Sequence, residues 1–281
     1  MENLNYTSLW RNLSAVYDDG EAKAIARYVL EEQFDMPLND IYCGMSLPDD
    51  RQAELSAIVE RLMKKEPLQY VLGAAYFCGR KFAVGKDVLI PRPETEDLVE
   101  LVLRQGGSPA VLDIGTGSGC IAVSVALGNP NANVTAWDIS DNALAIASAN
   151  AARLGANVCF EHCDALNPPC DMEKWDIIVS NPPYICNNER EAMDGNVLDY
   201  EPHLALFVPD DNPLLFYRAI TRYAHKALRQ RGRIFFEINP LYVLPMEKMA
   251  CEEGFLHTTV LADRYGRQRF MVIGNEPLQN I

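Results

Sequence analysis

At 281 residues the chain is long for one average domain and suits two, one small and one of typical size. Apolar residues make up 48% and charged residues 23%, as in ordinary globular proteins, and no apolar run is long enough to span a membrane. The formal net charge of -14 repels phosphates, which argues against nucleic acid as the main partner and favours a basic protein surface.

Met1-Glu2-Asn3-Leu4-Asn5 has neither a basic region nor an apolar stretch, so no secretory signal is evident and a cytoplasmic location is expected. Leu9, Trp10, Leu13, Val16 and Tyr17 recur at helical spacing until Asp18-Asp19-Gly20 breaks the pattern. A second helix carries Ala24, Ile25, Tyr28 and Val29. The third carries Leu55, Ile58, Val59, Leu62 and Met63, with Asp49 or Asp50 as its N-cap and Pro67 as its stop. From about Gly73 to Ile90 the period changes: Phe77, Phe82, Val84 and Val88-Leu89-Ile90, punctuated by Gly79 and Gly85, predict a β-hairpin. Residues 1–72 are therefore expected to form a helical domain used in substrate recognition, 73–90 a hairpin linker, and 91–281 the catalytic domain.

From Ala110 strands and helices alternate, the pattern of an α/β domain with a parallel sheet covered on both faces. Strands are expected near 110–113, 134–138, 158–163, 176–180 and 233–238, and helices near 119–127, 141–154, 212–229 and 241–253. Two final strands, 257–263 and 269–274, have only a short connection, so the last should run antiparallel.

Val111-Leu112-Asp113 is a buried strand that turns through Gly115-Thr116-Gly117-Ser118-Gly119 into a helix, where glycines let the backbone approach a ligand. A dinucleotide fingerprint would place glycine where this chain has Cys120, which disfavours a pyrophosphate ligand. Asp138 ends the second strand, where it can accept ribose hydroxyls, and Ile139 can pack on adenine. Asp164-Ala165 ends the third, where the carboxylate can accept from an adenine amine. Asn181-Pro182-Pro183-Tyr184 follows the fourth strand, at the same sheet edge. The Asn181 side-chain oxygen and the Pro182 carbonyl can each accept one N–H of a planar NH2 group, favouring sp3 character as its nitrogen attacks a methyl group. The prolines fix that carbonyl and Tyr184 can stack on the flat target. Together the two turns point to methyl transfer from S-adenosylmethionine to an amide or amino nitrogen.

The chain resembles the peptide chain release factor N5-glutamine methyltransferases. The resemblance runs through Pro67-Leu68-Gln69-Tyr70-Val71-Leu72-Gly73, Phe77-Cys78-Gly79 and Leu89-Ile90-Pro91-Arg92-Pro93-Glu94-Thr95-Glu96. It continues in the glycine turn, Asn181 to Tyr184, Tyr200-Glu201-Pro202, Ala205-Leu206, and Gly266-Arg267 with Arg269-Phe270. It implies a five-helix N-terminal domain, a hairpin and a seven-stranded class I methyltransferase domain. The implied substrate is the glutamine of the Gly-Gly-Gln loop of bacterial class I release factors. By the same resemblance Gly115 to Gly119, Asp138 and Asn181 bind cofactor, and Asn181 to Tyr184 hold the glutamine amide. Arg92 and Glu94 belong to the pattern too, either shaping the site entrance or capping the next helix through Glu94 or Thr95. Where the family often has an aromatic residue after the third strand, this chain has Ala165-Leu166.

Adenine methyltransferases share the Asn-Pro-Pro-Tyr chemistry, and Arg218, Arg222, Lys226, Arg229, Arg231 and Arg233 form the one basic row on which a nucleic-acid reading can lean. A cofactor-binding adaptor without turnover is the third reading. The eight cysteines follow no disulfide or CxxC framework, so core thiols are expected and no metal is assigned to Cys159, His162, Cys163 and Cys170.

Overall fold

The computed structural model describes residues 4–278, so most of the N-terminal stretch read for a signal lies outside the described residues. The chain divides into two compact units, one running to Ala74 and taking back Asp194–Tyr200, the other formed by Ala75–Met193 and Glu201–Ile281.

The first unit is helical: α1 (Tyr6–Leu13), α2 (Asp19–Phe34), α3 (Leu38–Tyr42), α4 (Asp49–Leu62) and α5 (Leu68–Leu72). Asn5 and Ser8 cap α1 reciprocally, while the Asp18 carboxylate accepts from Gly20 and Glu21 N–H and starts α2. The helical spacing continues to Tyr17, but the helix ends at Leu13, and the Tyr17 hydroxyl donates to the Leu62 carbonyl, 2.9 Å away. Pro48 rather than Asp49 or Asp50 is the N-cap of α4, and the two acids sit in its first turn, where they favour the helix dipole. That helix ends at Leu62, and Pro67 starts α5 instead of stopping α4. Leu9, Leu13, Val29, Leu30, Leu55 and Leu62 are fully buried at the centre of this unit.

The second unit opens with two short strands, β1 (Ala74–Phe77) and β2 (Arg80–Ala83), which pair with each other. The strand expected to reach Ile90 ends at Ala83. Val84, Val88 and Ile90 are apolar because they are buried, not because they pair. Then come α6 (Thr95–Leu103), β3 (Ala110–Ile114), α7 (Cys120–Gly128), β4 (Asn133–Asp138), α8 (Asp141–Leu154), β5 (Val158–His162) and β6 (Trp175–Ser180). After β6 lie β7 (Ile185–Cys186), α9 (Gly195–Tyr200, in the first unit), β8 (Phe207–Val208) and α10 (Leu215–Ala227). The chain ends with β9 (Leu228–Glu237), α11 (Val243–Glu252), β10 (His257–Ala262) and β11 (Gln268–Gly274).

Seven strands form one sheet in the order β10-β11-β9-β6-β3-β4-β5, parallel except that β11 is antiparallel to both β10 and β9. This is the seven-stranded α/β fold expected. Alternation along the strands sends Leu112, Ile178, Ile234 and Phe236 to one face with α10 and α11, and Val111, Ile177, Val179 and Phe235 to the other with α6 and α7. Each such buried side chain contributes about 1.5–3 kcal/mol relative to exposure. The chain order reverses between β3, which leads to β4 on one side, and β6, which pairs on the other. A crevice opens at the carboxyl ends of strands that diverge in this way.

Of the cysteines, all free, only Cys186 is buried, while Cys43, Cys159, Cys170 and Cys251 are exposed. The expectation of core thiols fails at those four because their strand-edge, loop and helix-surface positions face solvent. Among the described residues no helix is long and apolar enough to cross a membrane, and no group of His, Cys, Asp or Glu could hold a metal ion.

Candidate active site

The two turns that carry the chemistry leave neighbouring strands. Asp113 pairs with Val179 in the parallel register, and the Ser180 hydroxyl donates to the Ile114 carbonyl at 2.6 Å, locking the strand ends together. Gly115 and Asn181 are therefore the first residues beyond the sheet on adjacent strands. Both line one cavity of about 360 Å3, together with Gly117, Asp138, Ile139, Asp164, Ala165, Pro182 and Pro183.

The glycine loop is pinned through its backbone. Gly115 and Thr116 N–H both donate to the Trp137 carbonyl at the end of β4, and Gly117 N–H donates to Asp138 Oδ2 at 2.9 Å. Gly115 and Gly117 have φ of +77° and +55°, and open space stands where their Cβ atoms would be. Gly119, at φ +79°, abuts α8 instead: a Cβ there would meet Ala147 Cβ at 3.0 Å. Asp113, Thr116 and Ser118 are buried and do not line the cavity. Asp113 Oδ2 accepts from the Thr116 hydroxyl (2.7 Å) and from Ala122 N–H (3.2 Å), whereas Oδ1 has no partner among the described residues. Burial pushes this carboxyl up to about 7, against the pull of those two hydrogen bonds, and the nearby Asp138 charge adds to the rise.

Asp138 and Asp164 each bond their own following backbone, Asp138 Oδ1 to Ser140 N–H and Asp164 Oδ1 to Leu166 N–H. Further lone pairs of each remain for a ligand. Ile139 and Leu166 are exposed apolar side chains in the same lining. A glycine-backed wall, two carboxylates and apolar side chains fit S-adenosylmethionine, which brings an adenosine with hydroxyls and an amine, and a cationic tail.

The Asn-Pro-Pro-Tyr turn is held by side chains from distant segments. Asn181 Nδ2 lies 3.4 Å from Thr95 Oγ1, Thr95 donates to Glu237 Oε2 at 2.7 Å, and the Tyr184 hydroxyl donates to Glu237 Oε1 at 3.2 Å. Asn239 Nδ2 reaches the Tyr184 carbonyl at 3.4 Å and Glu189 Oε2 at 3.1 Å. Tyr184 does not line the cavity. Its ring packs against the core, and burial beside Glu237 raises its hydroxyl pKa far above the usual range. Arg92 and Glu94 also lie outside the lining. Arg92 pairs with the buried Glu201 at 2.6 Å, and Glu201 Oε2 accepts Ile90 N–H, tying together the segments that supply Leu89 and Pro202 to the cavity. Neither Glu94 nor Thr95 caps α6 through its side chain.

Thr95, Glu237 and Asn239 thus hold the Asn-Pro-Pro-Tyr turn from outside the cavity lining, although the sequence reading gave them no such role. One signal was present: Glu237 ends the apolar run Ile234-Phe235-Phe236 as Asp113 and Asp138 end theirs.

The PrmC N-terminal domain profile matches residues 11–73 and the Methyltransferase small domain profile residues 74–197. A Bacteroides thetaiotaomicron protein named release factor glutamine methyltransferase is 43% identical over 265 residues, covering 93% of this chain and 95% of its own length. One of the same name from Flavobacterium psychrophilum is 38% identical over 278 residues, covering 96% and 98%. The chain belongs to the release factor glutamine methyltransferase family. It is an S-adenosylmethionine-dependent methyltransferase. The structure of a Pyrococcus furiosus methyltransferase overlays with a TM-score of 0.53 at 16% identity, covering 81% of this chain and 99% of that one, a likeness of fold.

Proposed function

We propose that this methyltransferase acts in the cytoplasm on the side-chain amide nitrogen (N5) of the glutamine in the Gly-Gly-Gln motif of bacterial class I peptide chain release factors. The observation that carries the reading is that one cavity is lined both by Gly115, Gly117 and Asp138 and by Asn181 and Pro182. Its support in sequence is the near full-length similarity to relatives named for that reaction.

Gly115 and Gly117 give backbone contact, Asp138 accepts ribose hydroxyls, Ile139 and Ala165 flank the adenine, and Asp164 accepts from its amine. Bound there, S-adenosylmethionine supplies an electrophilic methyl group on a sulfonium. The chain's own contribution is to the nucleophile. An amide nitrogen has its lone pair delocalised into its carbonyl, so holding both N–H groups, one on Asn181 Oδ1 and one on the Pro182 carbonyl, favours the pyramidal nitrogen. Orientation and stabilisation of the developing positive charge supply the rate. No strong base is needed, because the proton becomes acidic once the nitrogen is alkylated. Tyr184 fastens the turn through Glu237 rather than offering a stacking face.

The nucleic-acid alternative loses its footing at the basic row. Arg218 and Arg222 bond Glu253, Arg229 bonds Asp176, and Arg231 lies 3.5 Å from Glu276, so the row is largely neutralised within the chain. The test is transfer of labelled methyl to a purified class I release factor, to its Gly-Gly-Ala variant, and to DNA and RNA. Label on the intact factor alone is expected. Label on nucleic acid with none on protein would overturn the reading.

A further inference from the structure

We infer that Thr95, held by Glu237, is a positioning residue that fixes which way the Asn181 carboxamide faces. The inference rests on the reading of Asn181 as the acceptor for the target amide. An asparagine side chain has nearly the same shape in its two flipped states, and only its hydrogen-bond partners distinguish oxygen from nitrogen. The proposed chemistry works in one state alone, with Oδ1 toward the target.

The chain of donors sets that state. Glu237 is 2% exposed and Thr95 3%, and no bulk water competes for their bond. An ionised carboxylate only accepts, so the Thr95 proton is committed to Glu237 Oε2, 2.7 Å away. What Thr95 Oγ1 then shows Asn181 is lone pairs. Only an N–H can sit against them, and Nδ2 does, at 3.4 Å. The flipped state would set two acceptors against each other, so Oδ1 is left to the other edge. The second oxygen of the same carboxylate takes the Tyr184 hydroxyl at 3.2 Å, and one acid thereby orients the first and last residues of the turn.

The scheme needs Glu237 ionised despite burial, which raises its pKa. Arg269 Nη1, 4.0 Å from Oε1, opposes that rise, and Asp263 holds Arg269 in place at 2.8 Å. Facing the same group are Glu94, whose charge works against ionisation, and Tyr217, whose hydroxyl donates to the Glu237 backbone carbonyl. The Gly266-Arg267 and Arg269-Phe270 segment, far from the cavity in sequence, thereby acquires a task. Asp263 accepts from Tyr265 and Arg267 N–H to shape the hairpin that delivers Arg269.

The experiment compares Thr95→Val, Thr95→Ser, Glu237→Gln and Asn181→Ala in the full chain, measuring kcat and KM on a purified release factor and cofactor affinity by calorimetry. Thr95→Val keeps the shape and removes the hydroxyl. It should lower kcat about 10–100-fold, as expected for losing a bond to a charged group. Cofactor affinity should stay within about 2-fold, and Thr95→Ser should stay within about 3-fold of the parent in kcat. Glu237→Gln can donate to Thr95, which reverses the hydroxyl, so its kcat should fall comparably. It is read in place of Thr95→Val should that variant not bind cofactor. Loss in Asn181→Ala with kcat retained in Thr95→Val or Glu237→Gln, a loss confined to KM, or better tolerance of valine than of serine would each overturn the inference. Parent-like turnover by Asn181→Ala would instead defeat the reading of Asn181 on which it stands.

Discussion

The turns after β3 and β6 leave the sheet side by side, yet they are built in opposite ways. The first is made by backbone: glycines at positive φ, N–H groups tied to the Trp137 carbonyl, and a carboxylate buried just behind. The second is made by side chains brought from far away, with Thr95 separated from Asn181 by 86 residues and from Glu237 by 142. The difference matches their tasks. A cofactor needs close approach, which side chains obstruct. A target amide needs two acceptors aimed to a fraction of an ångström, and only an outer set of hydrogen bonds can aim them.

The largest effect that would sharpen the contrast is at Asn181. Asn181→Ala should lower methyl transfer by about 10²–10³-fold or more, the scale of removing one preorganised polar contact to the transition state. Cofactor affinity and thermal stability should change little, since the residue is partly exposed and its side chain is held by a long bond of 3.4 Å to Thr95. Turnover near the parent value in a filter-binding assay would break the proposed division of labour.

This asymmetry also decides what could be read from the sequence. The glycine turn was legible because its glycines stand within a few residues of Asp113, although the Trp137 carbonyl and Asp138 that pin it come from β4, and the strand–turn–helix order was visible in the apolar runs of β3 and α7. The sheet edge was legible too, since Asp138 ends β4 while Asp164 and Asn181 follow β5 and β6 within two residues. Thr95 was not legible in its role: at the start of α6 it reads as a cap, and only the fold shows its hydroxyl turned inward to Glu237. Nor were Val84, Val88 and Ile90, whose spacing imitates a strand although they are buried as coil. Local periodicity reports burial, and pairing is a separate, non-local fact.

Within the glycine turn the comparison sharpens at the next level. Gly119→Ala adds a Cβ at 3.0 Å from Ala147 Cβ on a backbone at φ +79°, so strain and overpacking combine. A loss of roughly 3 kcal/mol is expected by denaturant unfolding. Gly115→Ala meets no atom within 4 Å and should lose only the left-handed penalty, roughly 1–2 kcal/mol. Cofactor affinity should rank the other way, because Gly115 lines the cavity and Gly119 does not. The reverse order in calorimetry would mean that the loop contacts its ligand through a different edge.

The smallest effect concerns Asp113, where the backbone-built turn conceals a titratable group. Its carboxyl stands at about 7 in the folded chain against 3.8 for the free group. Between those values the folded state keeps a proton that the unfolded state has released, so ν_U is less than ν_N and stability falls as pH rises. Below 3.8 both states are protonated and the contribution is fully present, and above about 7 it is lost. Linkage puts the decline at roughly 2 kcal/mol between pH 5 and pH 7. Asp113→Asn removes the titration while keeping an oxygen for Thr116 and Ala122, and its new NH2 occupies the place of an oxygen without a partner. The variant should therefore gain on the parent by roughly 2 kcal/mol between pH 5 and pH 7. Glu237, also raised by burial, is common to both proteins and cancels from the difference. A stability difference between the two that is flat across this window would show that the Asp113 carboxyl is ionised throughout, and that the loop is held by a buried charge rather than by a neutral acid.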